Sequence, residues 1–124
     1  MKLLQVYAAN GAWGKLTQLK LPAKLAYQLM KYAKLVADEY TFVETTRVEL
    51  IHQLTNTKAG ENAEIAVGTQ AHEDYVKQFG AMLDVESDLK PSELKLEDVV
   101  DKLDSQGNSL TAQDIGMLEP FFTA

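Results

Sequence analysis

Between Pro22 and Thr57 the apolar residues recur every three or four positions, and no glycine or proline interrupts the stretch after Pro22. At 100° per residue, Leu25, Leu29, Tyr32, Val36, Val43, Leu50 and Leu54 fall within a sector of about 60° on a helical wheel. The spacing therefore predicts one helix over 22–57, opened by a proline whose fixed φ suits a first turn. Leu29, Val36, Val43 and Leu50 repeat every seven residues, the interval that holds an apolar seam against a neighbouring helix over a long contact. A rod of roughly 50 Å overhangs any sphere that 124 residues can fill, so the pattern predicts an elongated helical hairpin or bundle.

On either side the periodicity is weaker. Residues 3–19 read as an N-terminal helix anchored by Leu3, Leu4, Tyr7, Trp13, Leu16 and Leu19. Asn10, Gly11 and Gly14 lower its propensity, each glycine by about 1 kcal/mol against alanine, so this helix should depend on packing against the rod. Lys58 to Gly68 is polar and glycine-bounded, with room for one short strand at most over 63–67, and reads as the turn of the hairpin. Thr69 is placed to cap the next helix, which carries Glu73 and Asp74 near its positive end and Tyr75, Phe79, Met82 and Leu83 on its apolar face. It should run antiparallel to the rod. From Asp84 to Asp104 the pattern favours extended structure around Leu89, Leu94 and Leu96, broken by Pro91, before a helical turn at Val99, Val100 and Leu103. Ser105 to Asn108 is a turn. Thr111 with Asp114 has capping-box spacing, opening a closing helix that Ile115 and Leu118 bury and Pro120 helps to end. The predicted fold is mainly α in a single domain over 1–124. A long antiparallel helical hairpin with a packed N-terminal helix occupies 1–83, and an acidic, partly extended segment ending in a short helix occupies 84–124.

Charge divides the chain. Residues 1–37 contain six lysines and no carboxylate, whereas 38–124 hold all 18 Asp and Glu against six Lys and Arg. Electrostatics favours folding the basic front against the acidic back. A net charge of -6 and a pI near 4.8 argue against a duplex nucleic-acid binder, which needs a dominant basic surface to displace counterions. The same balance serves solubility first, and it suits a basic partner better than an acidic one. The absence of cysteine removes disulfides and thiolate metal sites. No apolar run approaches the roughly 18 residues of a membrane span, and the first residues lack the long apolar core of a signal peptide, so the expectation is a soluble, cytoplasmic protein that does not engage membranes.

Catalytic chemistry finds no footing. Asn10 to Lys15 ends in a Gly-Lys pair, but it lacks the four-residue glycine spacer, the following Ser or Thr and the preceding strand of a phosphate loop. His52 and His72, the two imidazoles, would need Glu49, Glu73 or Asp74 beside them to bind a metal, and they lack HExxH spacing. No serine has a matched base, and the carboxylates of 84–104 do not follow an EF-hand spacing. The expectation is therefore no catalytic residue, no metal and no cofactor.

The candidate interaction residues are Trp13, Lys24, Lys31, Lys34, Glu93, Glu97, Asp98 and Asp101. Lys24 and Lys31 share a face of the rod away from its apolar seam, with Lys34 about 80° round. They read as a solvated stripe, as partners of the acidic C-terminal segment, or as a contact for nucleic-acid backbone or an acidic protein. The four carboxylates would present an acidic binding surface. Trp13, beside Gly11 and Gly14, is a binding anchor if exposed and a core residue if buried.

Leu21–Lys34 (LPAKLAYQLMKYAK) and Leu110–Phe122 (LTAQDIGMLEPFF) resemble the start of the long helix and the C-terminal helix in a family of small, uncharacterised proteins of phages and prophages of Gram-positive bacteria. The resemblance covers both ends of the chain, supplies no catalytic residue, and implies a phage origin and action inside the infected bacterial cell. Together these features lead to the expectation of a non-enzymatic phage accessory protein that binds a host, defence or phage protein through its acidic C-terminal surface. A virion assembly protein, self-associating through its helices, and a small-ligand or nucleotide sequestering protein are the alternatives.

Overall fold

The rod expected over 22–57 is one unbroken helix. In the computed structural model, which describes residues 1–123, α1 spans Leu3–Ala8, α2 Asn10–Leu16, α3 Ala23–Thr55, α4 Gln70–Leu83, α5 Leu96–Ser105 and α6 Ala112–Leu118. A 3-10 turn, Glu119–Phe121, follows α6, and no strand forms among the described residues. The 33 residues of α3 extend about 50 Å. Leu29, Val36 and Val43 are 3%, 2% and 0% exposed, while Leu50 is half-buried, so the seam is dry over its first three heptads and thins at the fourth.

The N-terminal helix expected over 3–19 is two pieces. Ala9 keeps a helical φ of -83° but opens to ψ -2°, and the ladder resumes with Trp13 N donating to Ala9 O at 3.0 Å. The weak formers Asn10 and Gly11 hold the ladder loosely there. Bending at Ala9 lets Val6, Ala9, Trp13 and Leu16 all face inward. Helix α2 stops at Leu16, and Thr17 to Leu19 continue as tight turns rather than α-helix.

Helix α4 packs on the outer half of α3, capped by Thr69, whose hydroxyl accepts from His72 N at 3.2 Å. Its direction follows from its contacts. Tyr7 stacks on Tyr40 and meets Phe79 edge-on, while Tyr75, one turn earlier in α4, lies beside Arg47, two turns later in α3. The pair is antiparallel, as expected. Residues 58–68 form the hairpin loop without a strand.

The stretch after Asp84 is extended, and both of its ends are tied to chain termini. Leu3 N donates to Val85 O at 2.9 Å and Ser87 N to Met1 O at 2.8 Å. Farther on, Ser92 N donates to Phe121 O at 2.8 Å and Thr123 N to Leu94 O at 3.0 Å. Leu96 proves to be the first residue of α5 rather than part of the extended run. Glu97 and Asp98 in its first turn and Lys102 in its last complement the helix dipole, and Val99 and Leu103 bury one face. One core results: Val6, Trp13 and Leu16 from the N-terminal pieces, Leu29 and Val36 from α3, Val99 and Leu103 from α5, and Leu118, Phe121 and Phe122 from the C-terminus.

The charge seam is partly used. Lys2 pairs with Asp84 at 2.5 Å, the N-terminal ammonium with Glu86 at 3.3 Å and Lys15 with Asp114 at 3.2 Å, so three ion pairs join front to back. Lys24, Lys31 and Lys34 form none among the described residues.

Candidate functional site

Helix α5 is a narrow amphipathic wedge with a depression on each flank. One groove lies between α5 and the C-terminal elements. Leu96, Val100, Ile115, Pro120 and Phe122 supply its apolar walls, and Glu97, Asp101 and Glu119 its acidic rim, enclosing about 730 Å³. Local chemistry places the second wall. Thr111 Oγ1 accepts from Asp114 N at 3.1 Å, and Asp114 Oδ2 accepts from Thr111 N at 3.4 Å, which starts α6 at a defined residue. The same carboxylate takes Lys15 Nζ at 3.2 Å, docking α6 on α2. Bonding to Thr111, then to Lys15, holds the Asp114 carboxyl below the usual carboxylate range. Pro120 then terminates the helix into the 3-10 turn and sets Phe121 in the core beside Phe122.

On the other flank, Lys24, Leu25 and Gln28 of α3 face Glu93, Asp98 and Asp101 across a depression of about 790 Å³. No ion pair closes it among the described residues. The expected grouping of Lys24 with the acidic segment is therefore a neighbourhood, with Asp101 shared by both depressions. Lys31 lines a shallower hollow with Glu93, and its Nζ sits 5.9 Å from the Tyr27 ring. Lys34 stands apart, over α2.

Trp13 is not a surface anchor. Its indole is 4% exposed, stacked on Phe122 at 5.7 Å and edge-on to Phe121 at 5.6 Å, with Tyr32 on a third side. The ring is the hub on which the C-terminal turn closes, with Phe121 and Phe122 both against it. The indole thus shapes the groove from behind, through Phe122, rather than lining it.

The histidines do not assemble a metal set. His52 Nδ1 lies 2.7 Å from Thr57 Oγ1 at the end of α3, and no group of three or more His, Asp or Glu is placed to hold a metal ion among the described residues. A polar cluster unforeseen in the sequence sits between α1, α3 and α4. Tyr7 donates to Glu44 Oε2 at 2.8 Å, and Arg47 Nε donates to Glu44 Oε1 at 3.0 Å, with Nη2 engaging the same oxygen. Burial, followed by the Glu44 carboxylate, pushes the Tyr7 hydroxyl up to about 12. Arg47, and then Tyr7, hold Glu44 below the ordinary carboxylate range. The cluster is a clasp between helices.

Sequence reasoning marked Glu97 and Asp101 but missed the opposite wall. Ile115, Glu119 and Pro120 looked like parts of a closing helix, and only the fold brings them to α5. The available signal was the two apolar positions Val100 and Ile115, each one step off a buried face. No helix among the described residues is long and apolar enough to cross a membrane. Comparison with family models, with curated proteins and with solved structures found no match for the chain.

Proposed function

We propose that the protein is a non-enzymatic binding module that grips a basic, amphipathic segment of another protein in the groove between α5 and α6. The observation that carries this reading is the pairing of an apolar floor with a predominantly acidic rim: Val100, Ile115 and Phe122 below, Glu97, Asp101 and Glu119 around them, against the single cation of Lys95. A helical segment with apolar residues at three- and four-residue intervals would seat its stripe on the floor, and flanking Lys or Arg would meet the carboxylates. The net charge of -6 adds long-range attraction for such a partner. The phage-like sequences at both ends of the chain support a biological setting in which the protein acts inside an infected bacterium on a host or defence factor.

The test compares the wild type with Glu97→Lys/Asp101→Lys in affinity capture from bacterial lysate, read by quantitative mass spectrometry. The expected result is a stoichiometric basic protein held by the wild type and lost by the variant. Retention of the same partners by both, or no stoichiometric partner for either, overturns the reading. Both carboxylates are exposed, so the variant should keep the parent circular dichroism.

A further inference from the structure

The outer face of α3 carries large apolar side chains largely open to solvent, bordered on one flank, at Leu35, by residues 88–94. Tyr27, Leu35 and Phe42 are 67%, 53% and 66% exposed. Leu35 and Phe42 are seven residues apart, with Gln28 and Glu49 one heptad beyond on either side, and Lys24, Lys31, Asp38 and Thr45 fill the alternate positions of the same stripe. A second heptad stripe, apolar at Leu35 and Phe42 and polar at its other positions, with Tyr27 beside it, therefore runs along the exposed side of the rod, separate from the buried seam at Leu29, Val36 and Val43.

Charge along this face is ordered. Lys24 and Lys31 occupy its N-terminal half, while Asp38 and Glu49 occupy its C-terminal half, and none of the four forms an ion pair among the described residues. A face that is positive at one end, apolar in the middle and negative at the other complements itself when turned end for end. We infer that α3 pairs with α3 of a second copy of this chain as an antiparallel, two-fold symmetric dimer.

The register follows from the layers. Placing Leu35 opposite the second copy's Asp38 sets Lys31 against its Phe42, Gln28 against its Thr45 and Lys24 against its Glu49, and the two-fold axis repeats each contact. Lys31 then lies within a turn of the opposing Asp38. Each Phe42 ring receives a lysine stem and its ammonium, an arrangement with cation–π character. Parallel pairing stacks lysine on lysine and carboxylate on carboxylate, and would align the helix dipoles as well. The contact reaches about 38 Å from Lys24 to Glu49, along a helix with no proline or glycine to bend it. It uses none of the walls of the α5–α6 groove, so dimerisation and partner capture stand or fall separately.

The experiment is sedimentation equilibrium at low salt, with protein up to about 100 µM. The wild type should be dimeric at the upper end. Phe42→Lys, which sets lysine against Lys31, should be monomeric with an unchanged circular dichroism spectrum. Lys24→Glu and Glu49→Lys should each weaken the dimer by about tenfold, and an equimolar mixture of the two should regain wild-type affinity, because the mixed dimer restores both ion pairs, one of them with reversed sign. A wild type that stays monomeric or forms a higher oligomer overturns the inference. So do single charge variants that dimerise as well as the wild type, or a mixture no tighter than its components.

Discussion

The two halves of α3 are supported in different ways. Its N-terminal half lies under α2 and the C-terminal turn, with Leu29 and Val36 in a core that also takes Trp13, Val99, Leu103, Leu118 and Phe121. Its C-terminal half meets α4, a helix with no fully buried residue, and beyond Val43 nothing on α3 is fully buried either. There the apolar contacts are an open aromatic stack of Tyr7, Tyr40, Phe79 and Tyr75, braced by the Glu44–Arg47 clasp. One rod thus joins a dry end, held by area removed from water, to a wet end, held by stacking and charge-assisted hydrogen bonds. Burying an apolar side chain stabilises more than a part-exposed polar contact does, so the wet end should open first and locally.

The sharpest way to break this contrast is to truncate one anchor at each end. Phe121→Ala at the dry end removes a ring that is 0% exposed and edge-on to Trp13, and should cost about 3–5 kcal/mol. Leu50→Ala, on the same seam but half-buried, should cost about 1 kcal/mol. Urea unfolding followed by circular dichroism measures both. Equal costs would mean that the outer hairpin is as tightly packed as the core.

That asymmetry was only half legible in the sequence. The heptad of Leu29, Val36, Val43 and Leu50 announces one helix because a seam needs only local spacing, and Pro22 announces its start. It treats Leu50 like Leu29, because burial depends on how many neighbours arrive, and those come from α2 and 96–122 at one end but from α4 and Tyr7 of α1 at the other. The Thr111–Asp114 capping box was readable for the same local reason. The bond from Lys15 to Asp114 was not, since nothing in a linear chain marks which of the six lysines in residues 1–37 will meet that carboxylate. At the candidate groove, Glu97 and Asp101 were legible as charge. The apolar floor between them and Glu119 required the fold, as did the burial of Trp13, which the flanking glycines left open.

The clasp offers a finer test, because its strength depends on pH. Glu44 is held below the usual carboxylate range by Arg47 and Tyr7. Its folded pKa being depressed, it contributes stability above the unfolded carboxylate pKa, and that contribution fades as pH falls through the folded value. Glu44→Gln should therefore cost about 1–2 kcal/mol at pH 7, with the gap from the wild type closing as pH falls below about 4. The loss should appear in α4 amide exchange before global unfolding. A gap that stays constant with pH would remove the carboxylate from the account of how α4 is held.

At high pH the same cluster works in the opposite sense. Tyr7 is pushed up to about 12, first by burial and then by Glu44, so the unfolded chain ionises this phenol before the folded one does. Stability is complete below the unfolded tyrosine pKa of about 10 and declines as pH rises through the folded value. Ultraviolet titration of tyrosinate should show a late-titrating phenol in the wild type that is missing in Tyr7→Phe. The variant should also lose less stability than the wild type between pH 10 and 12. A variant that instead loses a phenol titrating near the ordinary tyrosine value of about 10, with every late-titrating phenol kept, would place Tyr7 in water rather than in the stack.

The smallest effect concerns where the wet end stops. Asn56 takes φ 55°, the left-handed conformation that closes α3, and its N–H donates to His52 O. Thr57 N donates to the same carbonyl at 3.1 Å, while the Thr57 hydroxyl meets both His52 Nδ1 and Thr55 Oγ1. Asparagine tolerates this conformation better than other residues with a Cβ, and glycine adopts it without strain. Asn56→Gly relieves the folded chain but also gives the unfolded chain more freedom, and the two effects nearly cancel. The expected change is within about 0.5 kcal/mol. Asn56→Ala keeps the Cβ, loses asparagine's tolerance and should cost about 1 kcal/mol. Because apolar burial is thin beyond Val43, that loss should show as faster exchange over the last turn of α3 and the start of α4, with the dry end unmoved. If Asn56→Ala instead lowers protection equally at Leu29 and Val36, the rod transmits disturbance along its whole length and the two ends are one cooperative unit.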